Sequence, residues 1–255
     1  MNLVVANLLT HYERVKPASG PAKLLVIIPG WADTSASWKQ VQLELGTEYD
    51  TVVVDLPGFG GSQKPAATWG LDEYAGFVRE FILKLNTGPA YAIIGHSNGG
   101  AIAIRGLATN VLTSTKLILI GCAGIRGHHA GRKSLLKIVT KAGKAITSPL
   151  PKGTKLKLRK VVYQKAGSDM LVAEHMTDSF KKVVATDVQQ DASTIILPTL
   201  LLYGNKDTDT PLQFGEIYQS LIKKSQLKVV PDAGHFVFID RPTEVLTEIK
   251  AFLND

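Results

Sequence analysis

Apolar residues in this chain follow two rhythms. Short runs rich in Val, Ile and Leu recur at 23–28, 51–54, 91–94, 116–120, 199–203 and 226–230. They are apolar at successive rather than alternate positions, the pattern of strands covered on both faces by helices. Between them lie stretches of helical spacing. In 71–85, Leu71, Tyr74, Ala75, Val78, Ile82 and Leu85 fall on one face. Segments 98–108, 212–222 and 244–253 read as further helices, and Pro211 precedes the first of the last two at a favoured helix-opening position. Residues 2–15 predict one or two antiparallel edge strands. Strands alternating with helices in this way predict an α/β fold with a mostly parallel central sheet.

Residues 125–194 break the alternation. Within 133–146, Leu135, Leu136, Ile138, Val139, Ala142 and Ile146 form an apolar stripe, with Lys133, Lys137, Lys141 and Lys144 elsewhere, so a basic amphipathic helix is expected. Pro149 and Pro151 interrupt it, and a further helix is expected over 178–185. Insertions in α/β sheets extend from the loop ends where ligands bind. The expected organisation is therefore a core of 1–124 and 195–255 with a helical cap, or lid, of 125–194.

Composition narrows the class. The chain has 255 residues, 45% of them hydrophobic and 20% charged, which suits a folded body large enough to need no disulfide or metal staple. The single cysteine, Cys122, permits neither an intrachain disulfide nor a cysteine zinc site. No apolar run approaches the ~20 residues of a membrane span, and no Lys or Arg precedes Arg14, so the expectation is a cytoplasmic protein without a secretory leader. The net charge is +7, but 125–194 alone holds 14 basic and 5 acidic residues, net +9. A solvated basic face is the default reading of that segment. Contact of 133–146 with an anionic membrane surface is the alternative, and no nucleic-acid partner is expected.

The most informative pentapeptide is Gly95-His96-Ser97-Asn98-Gly99, which fits G-x-S-x-G between a strand and a helix. In that context the serine sits at a sharp, strained apex, and the residues two before and two after it must be small. Ser97 would then be exposed at the carboxyl end of the sheet, with the following helix aiming its first amides at developing negative charge.

With Pro29-Gly30-Trp31, with Asp55-Leu56-Pro57-Gly58-Phe59-Gly60-Gly61-Ser62, and with Gly204-Asn205-Lys206-Asp207 and Ala233-Gly234-His235-Phe236, this motif makes the chain resemble the α/β-hydrolase fold superfamily over nearly its full length. The resemblance implies a nucleophile, acid and base in the chain order Ser97, Asp207, His235. His235 follows the strand at 226–230 and Asp207 the strand at 199–203, which places both at the same sheet edge as Ser97. Asp209 and Asp232 compete for the acid: the first lies at a helix start, the second beside His235 in sequence, where adjacency does not give the required geometry. Some members of the family draw the acid from the loop after the preceding strand, but here Gly121-Cys122-Ala123-Gly124 has no carboxylate. The oxyanion hole implied is the backbone N–H of Asn98 with that of Trp31. Pro29 stands where many members have His.

Asp55–Ser62 reads as a tight structural turn. The chain has no phosphate-loop motif, no H-E-x-x-H and no EF-hand loop, so neither cofactor nor metal is expected. A serine rather than an aspartate at the elbow argues against dehalogenase and epoxide hydrolase chemistry. The expectation is a serine hydrolase of the carboxylesterase kind, acting on small or medium acyl esters. C–C bond hydrolase, lipase, aminopeptidase and perhydrolase chemistry share the same serine, and a slow-turnover ligand receptor of the same fold is a reading from another class.

Overall fold

In a computed structural model, the structure describes residues 1–126 and 173–255. Among these, eight strands form one sheet: β1 (Asn2–Val5), β2 (Leu8–Val15), β3 (Leu24–Ile28), β4 (Asp50–Val54), β5 (Ala90–His96), β6 (Ser114–Ile120), β7 (Thr199–Gly204) and β8 (Ser225–Val230), in the order β1-β2-β4-β3-β5-β6-β7-β8. β1 and β2 pair antiparallel, as does β2 with β4. Every pairing from β4 across to β8 is parallel. The six parallel strands therefore end at one edge, and the loops that leave them converge there.

The strands carry two faces on one apolar run. In β3, Val26 and Ile28 enter a core shared with the helices α2 (Leu71–Leu85), α3 (Asn98–Ala108), α5 (Gln189–Ser193) and α6 (Leu212–Leu221). Leu25 and Ile27 enter the opposite core, with α1 (Lys39–Leu45), α7 (Val237–Asp240) and α8 (Pro242–Asn254). The period-2 alternation of a pleated strand makes both cores from consecutive hydrophobic residues. β8 departs from the expectation of burial on both faces. Its first four residues are half-buried and Val229 is exposed, because an edge strand has a neighbour on one side only.

Helices at 71–85 and 98–108 have the expected bounds, whereas α1, α5 and α7 were not legible. At seven, five and four residues they hold too few turns to display a period. α4 (Thr177–Ala185) covers the expected 178–185 helix. It is tied to the core by Trp69 N donating to Ser179 Oγ at 3.0 Å and by an ion pair of Lys182 with Glu73 of α2 at 2.7 Å. The expected basic helix at 133–146, with Pro149 and Pro151, lies outside the described residues, as does most of the expected cap. Among the described residues no helix is long and apolar enough to cross a membrane.

Candidate active site

β5 passes into α3 with only Ser97 between them. Ser97 has φ 50° and ψ −118°, a conformation costly for a residue with a Cβ. It is held by hydrogen bonds on both sides: its amide donates to Ile120 O at 2.9 Å, and its carbonyl accepts from Ala123 N at 3.0 Å. The flanking glycines are spatial necessities. A Cβ on Gly99 would strike the carbonyl oxygens of Ile28 and Pro29, and one on Gly95 would lie 2.6 Å from Gly100 Cα. The turn after β6 is fixed in its own right. Tyr203 and Tyr218 donate their hydroxyls to the carbonyls of Cys122 and Ala123 at 3.0 and 2.6 Å. Cys122 is buried, and burial pushes its thiol up to about 12.

The loops after β7 and β8 bring Asp207 and His235 together, with His235 Nδ1 2.8 Å from Asp207 Oδ2. Asp207 is buried. Its Oδ1 accepts the amides of Asp209 and Thr210 at 2.8 and 2.9 Å, and Thr210 Oγ1 lies 2.8 Å from Oδ2. Burial by itself would raise this carboxyl. The hydrogen bond and attraction from His235, together with the Thr210 donors, outweigh it and hold the group below its ordinary range. Thr210 Oγ1 also sits 3.1 Å from His235 Nδ1 and 2.9 Å from Gly121 O. The competing carboxylates are placed elsewhere. Asp232 is exposed and pairs with Lys206 at 2.7 Å and with Arg241 at 3.7 Å. Asp209 is exposed and gives Asp207 its backbone amide. Asp207, Asp209 and His235 each offer an atom within 4.8 Å of the others, as a metal site would. The facing atoms of Asp207 and His235 are nevertheless bonded to one another.

Asn98 opens α3, so its N–H has no intrahelical acceptor. The next amides, of Gly100 and Ala101, turn back to Ser97 O. The Pro29-Gly30-Trp31 loop presses on the elbow, since a Cβ on Gly30 would lie 3.2 Å from Ser97 Cβ. A cavity of about 300 Å3 opens at this edge, walled by Trp31, Ser97, Asn98, Arg126, Phe180 and His235 among others. Trp31 stands edge-on to Phe59 at 4.8 Å and tilted against Phe180 of α4 at 5.2 Å. The indole of Trp31 thus forms part of the cavity wall.

Most remaining histidines have structural partners. His96 points away from the cavity, with Nε2 3.1 Å from His235 O. His175 Nε2 lies 2.8 Å from Gly58 O, and His11 is engaged by Asn2 and Glu13. His128 and His129 lie outside the described residues. The Asp55–Ser62 turn is built as expected: Asp55 is buried and accepts the amides of Ser35 and Gly61 at 2.7 and 2.9 Å. Sequence reasoning missed the hydroxyl of Thr210, Arg126 on the cavity wall, and Asp33. The carboxylate of Asp33 binds Thr34 N, Ser37 Oγ and Trp38 Nε1 below His96. Thr210 stands three residues after an acid on a strand-end loop, which is a usable signal; the other two have none.

Residues 25–248 match the model of the alpha/beta hydrolase family. The chain is 22% identical to a pimeloyl-[acyl-carrier protein] methyl ester esterase of Aliivibrio fischeri, over 92% of this chain and 95% of that one. It is 24% identical to a 2-hydroxy-6-oxo-6-(2'-aminophenyl)hexa-2,4-dienoic acid hydrolase of Metapseudomonas resinovorans, over 92% and 86%. In structure it resembles a thermophilic esterase from Thermogutta terrifontis, with a TM-score of 0.75 at 20% identity over 100% and 97% of the two chains. A family model that spans most of the chain, on a parallel sheet whose strand-end loops gather a serine, an aspartate and a histidine, leads to one assignment: the chain belongs to the alpha/beta hydrolase family.

Proposed function

We propose that the protein is a serine hydrolase that cleaves small or medium acyl esters through an acyl-enzyme intermediate, with Ser97 as nucleophile, His235 as base and Asp207 as the acid that orients it. The observation that carries this reading is the 2.8 Å contact between His235 Nδ1 and buried Asp207, on the wall of the cavity that Ser97 also lines. With Nδ1 engaged by the carboxylate, the proton is taken at Nε2.

The cycle then balances as acyl transfer. Ser97 Oγ attacks the ester carbonyl carbon while its proton passes to His235 Nε2. The carbonyl π pair moves onto oxygen, and the backbone N–H groups of Trp31 and Asn98 hold that oxyanion. Asp207 stabilises the imidazolium. Collapse expels the alcohol oxygen, which takes the proton from His235. Water then attacks the acyl-serine with His235 again receiving the proton, and the acid leaves as Ser97 recovers its hydrogen. The relatives named as an ester esterase and a dienoic acid hydrolase support acyl chemistry at this site. A cap over 125–194 is part of the proposal, supported by the packing of Phe180 on Trp31.

The test is hydrolysis of p-nitrophenyl acetate, butyrate and octanoate by wild type and Ser97→Ala, with a fluorophosphonate label located by mass spectrometry. Wild type is expected to turn over the short esters and to carry the label on Ser97, and Ser97→Ala to lose roughly 10⁴–10⁶ in kcat. A Ser97→Ala protein as fast as wild type overturns the proposal.

A further inference from the structure

Arg126 stands on the wall of the Ser97 cavity in an unusual state of commitment. Its main chain is pinned: the amide donates to Asp187 Oδ2 at 2.9 Å, and the carbonyl accepts from Gln189 Nε2 at 3.3 Å. Two residues earlier, Gly124 O accepts from Val188 N at 3.0 Å. The side chain is half-buried, and Nε donates to Thr186 O at 3.1 Å. That is one of the five N–H groups of the guanidinium. Among the described residues, Nη1 and Nη2 meet no acceptor, and no carboxylate lies within ion-pair distance. Asp187 is close in sequence to the Nε partner, but its oxygens are taken by the amides of Arg126 and Gln189 and by the Gln189 side chain, the last two at 2.8 Å.

Among the described residues of the wall, Phe180, Val183, Val184 and Ala101 are apolar, and Asp209 is the one carboxylate, exposed and with its amide on Asp207. Two more N–H donors that belong to wall residues, Trp31 Nε1 and Asn98 Nδ2, are buried without an acceptor. Burial pulls the pKa of the Arg126 guanidinium below the ordinary arginine value, against the opposing attraction of Tyr218 and Asp187, which is a net cost for a charge taken from water. Held by three hydrogen bonds through backbone and Nε, its free fork is already oriented, so a planar oxyanion can bind without ordering the side chain.

Resting on the ester-hydrolase reading of Ser97, we propose that Arg126 is a specificity residue which selects esters whose acyl chain ends in a carboxylate, that is, half-esters of short dicarboxylic acids. The distal carboxylate takes the two Nη groups in a bidentate pair while the ester carbonyl lies at Ser97.

The experiment compares monoethyl glutarate and monoethyl adipate with their neutral counterparts ethyl pentanoate and ethyl hexanoate, by pH-stat titration on wild type, Arg126→Gln and Arg126→Lys. Wild type is expected to favour the better charged ester over its neutral counterpart by at least tenfold in kcat/KM. That ratio should fall to about one or below in Arg126→Gln, with the loss carried by KM, and should recover in part in Arg126→Lys. A wild-type ratio near or below one, or a ratio that survives intact in Arg126→Gln, overturns this inference and leaves the esterase reading standing. Hydrolysis of none of the four esters by wild type overturns both.

Discussion

The imidazole of His96 donates from Nε2 to the backbone carbonyl of His235 at 3.1 Å, so the residue before Ser97 holds the loop that carries His235. His96 is itself buried, edge-on to Phe238 at 5.1 Å and tilted against the His235 ring at 4.7 Å. It is a positioning residue for His235, not a proton carrier. His96→Leu is expected to lower kcat by roughly tenfold, the cost of about one hydrogen bond, with KM changing much less. His96→Gln, which keeps a donor, should recover part of the loss. Steady-state kinetics on p-nitrophenyl butyrate decide it; equal rates for wild type and His96→Leu would remove the role.

The same burial makes His96 a source of acid sensitivity. Burial first, and then repulsion from His235, lower its pKa to about 3 from an ordinary value of 6.5. The unfolded chain therefore binds this proton more readily than the folded one throughout that interval, and stability falls as pH drops below about 6.5. Between pH 7.5 and 5.0 the contribution lost is about 2 kcal/mol. Urea unfolding at the two pH values should show wild type losing more stability than His96→Gln by about that amount, and parallel losses in the two proteins would contradict it.

Strain at Ser97 gives a prediction on stability rather than rate. A left-handed φ of 50° with ψ −118° is tolerable for glycine and costly for any residue with a Cβ. Ser97→Gly should be inactive yet more stable to urea than Ser97→Ala, by about 1–2 kcal/mol. Finding Ser97→Gly the less stable of the two would mean that the turn stores no such strain.

Thr210 Oγ1 lies within hydrogen-bond distance of Asp207 Oδ2, His235 Nδ1 and Gly121 O at once. Its single proton serves one acceptor at a time, and its oxygen fixes the plane of the pair. Thr210→Val keeps the shape and removes the hydroxyl, so kcat should fall roughly tenfold, and Thr210→Ser should restore it. The acid limb of the pH–rate profile should shift in Thr210→Val as well, since a Thr210 that only packs would leave that limb where it is.

Asp207→Asn retains the shape of the side chain but, on the proposed cycle, loses the charge that stabilises the imidazolium and the acceptor that fixes the imidazole tautomer. A drop of roughly 10³–10⁴ in kcat is expected, measured on the same p-nitrophenyl ester. A drop of less than tenfold would move the acid to another residue, and Asp209, on the same cavity wall, is the next to test.

How much of this was legible follows from the range of the interactions. The six parallel strands, the helices at 71–85 and 98–108 and the strand–serine–helix elbow are written in local patterns: consecutive apolar residues, a 3.6 period, and glycines flanking one serine. Chain order and strand ends were enough to nominate Asp207 and His235, because parallel strands put their carboxyl ends on one edge. Three things waited for the fold. It is Asp207 that lies against His235, while Asp232 pairs with Lys206 at the surface. The hydroxyl of Thr210 matters through contacts with residues 25 and 89 positions away. The bonding of Arg126 is set by residues 186–189, where Thr186 O accepts from its Nε and Asp187 from its amide. Sequence alone determined the parallel strands, the longer helices and the hydrolase family, since these depend on residue type and spacing along the chain. Which polar groups are satisfied and which stay open to a ligand was decided only by tertiary structure, because hydrogen-bond partners are chosen across space, between segments that share no local pattern.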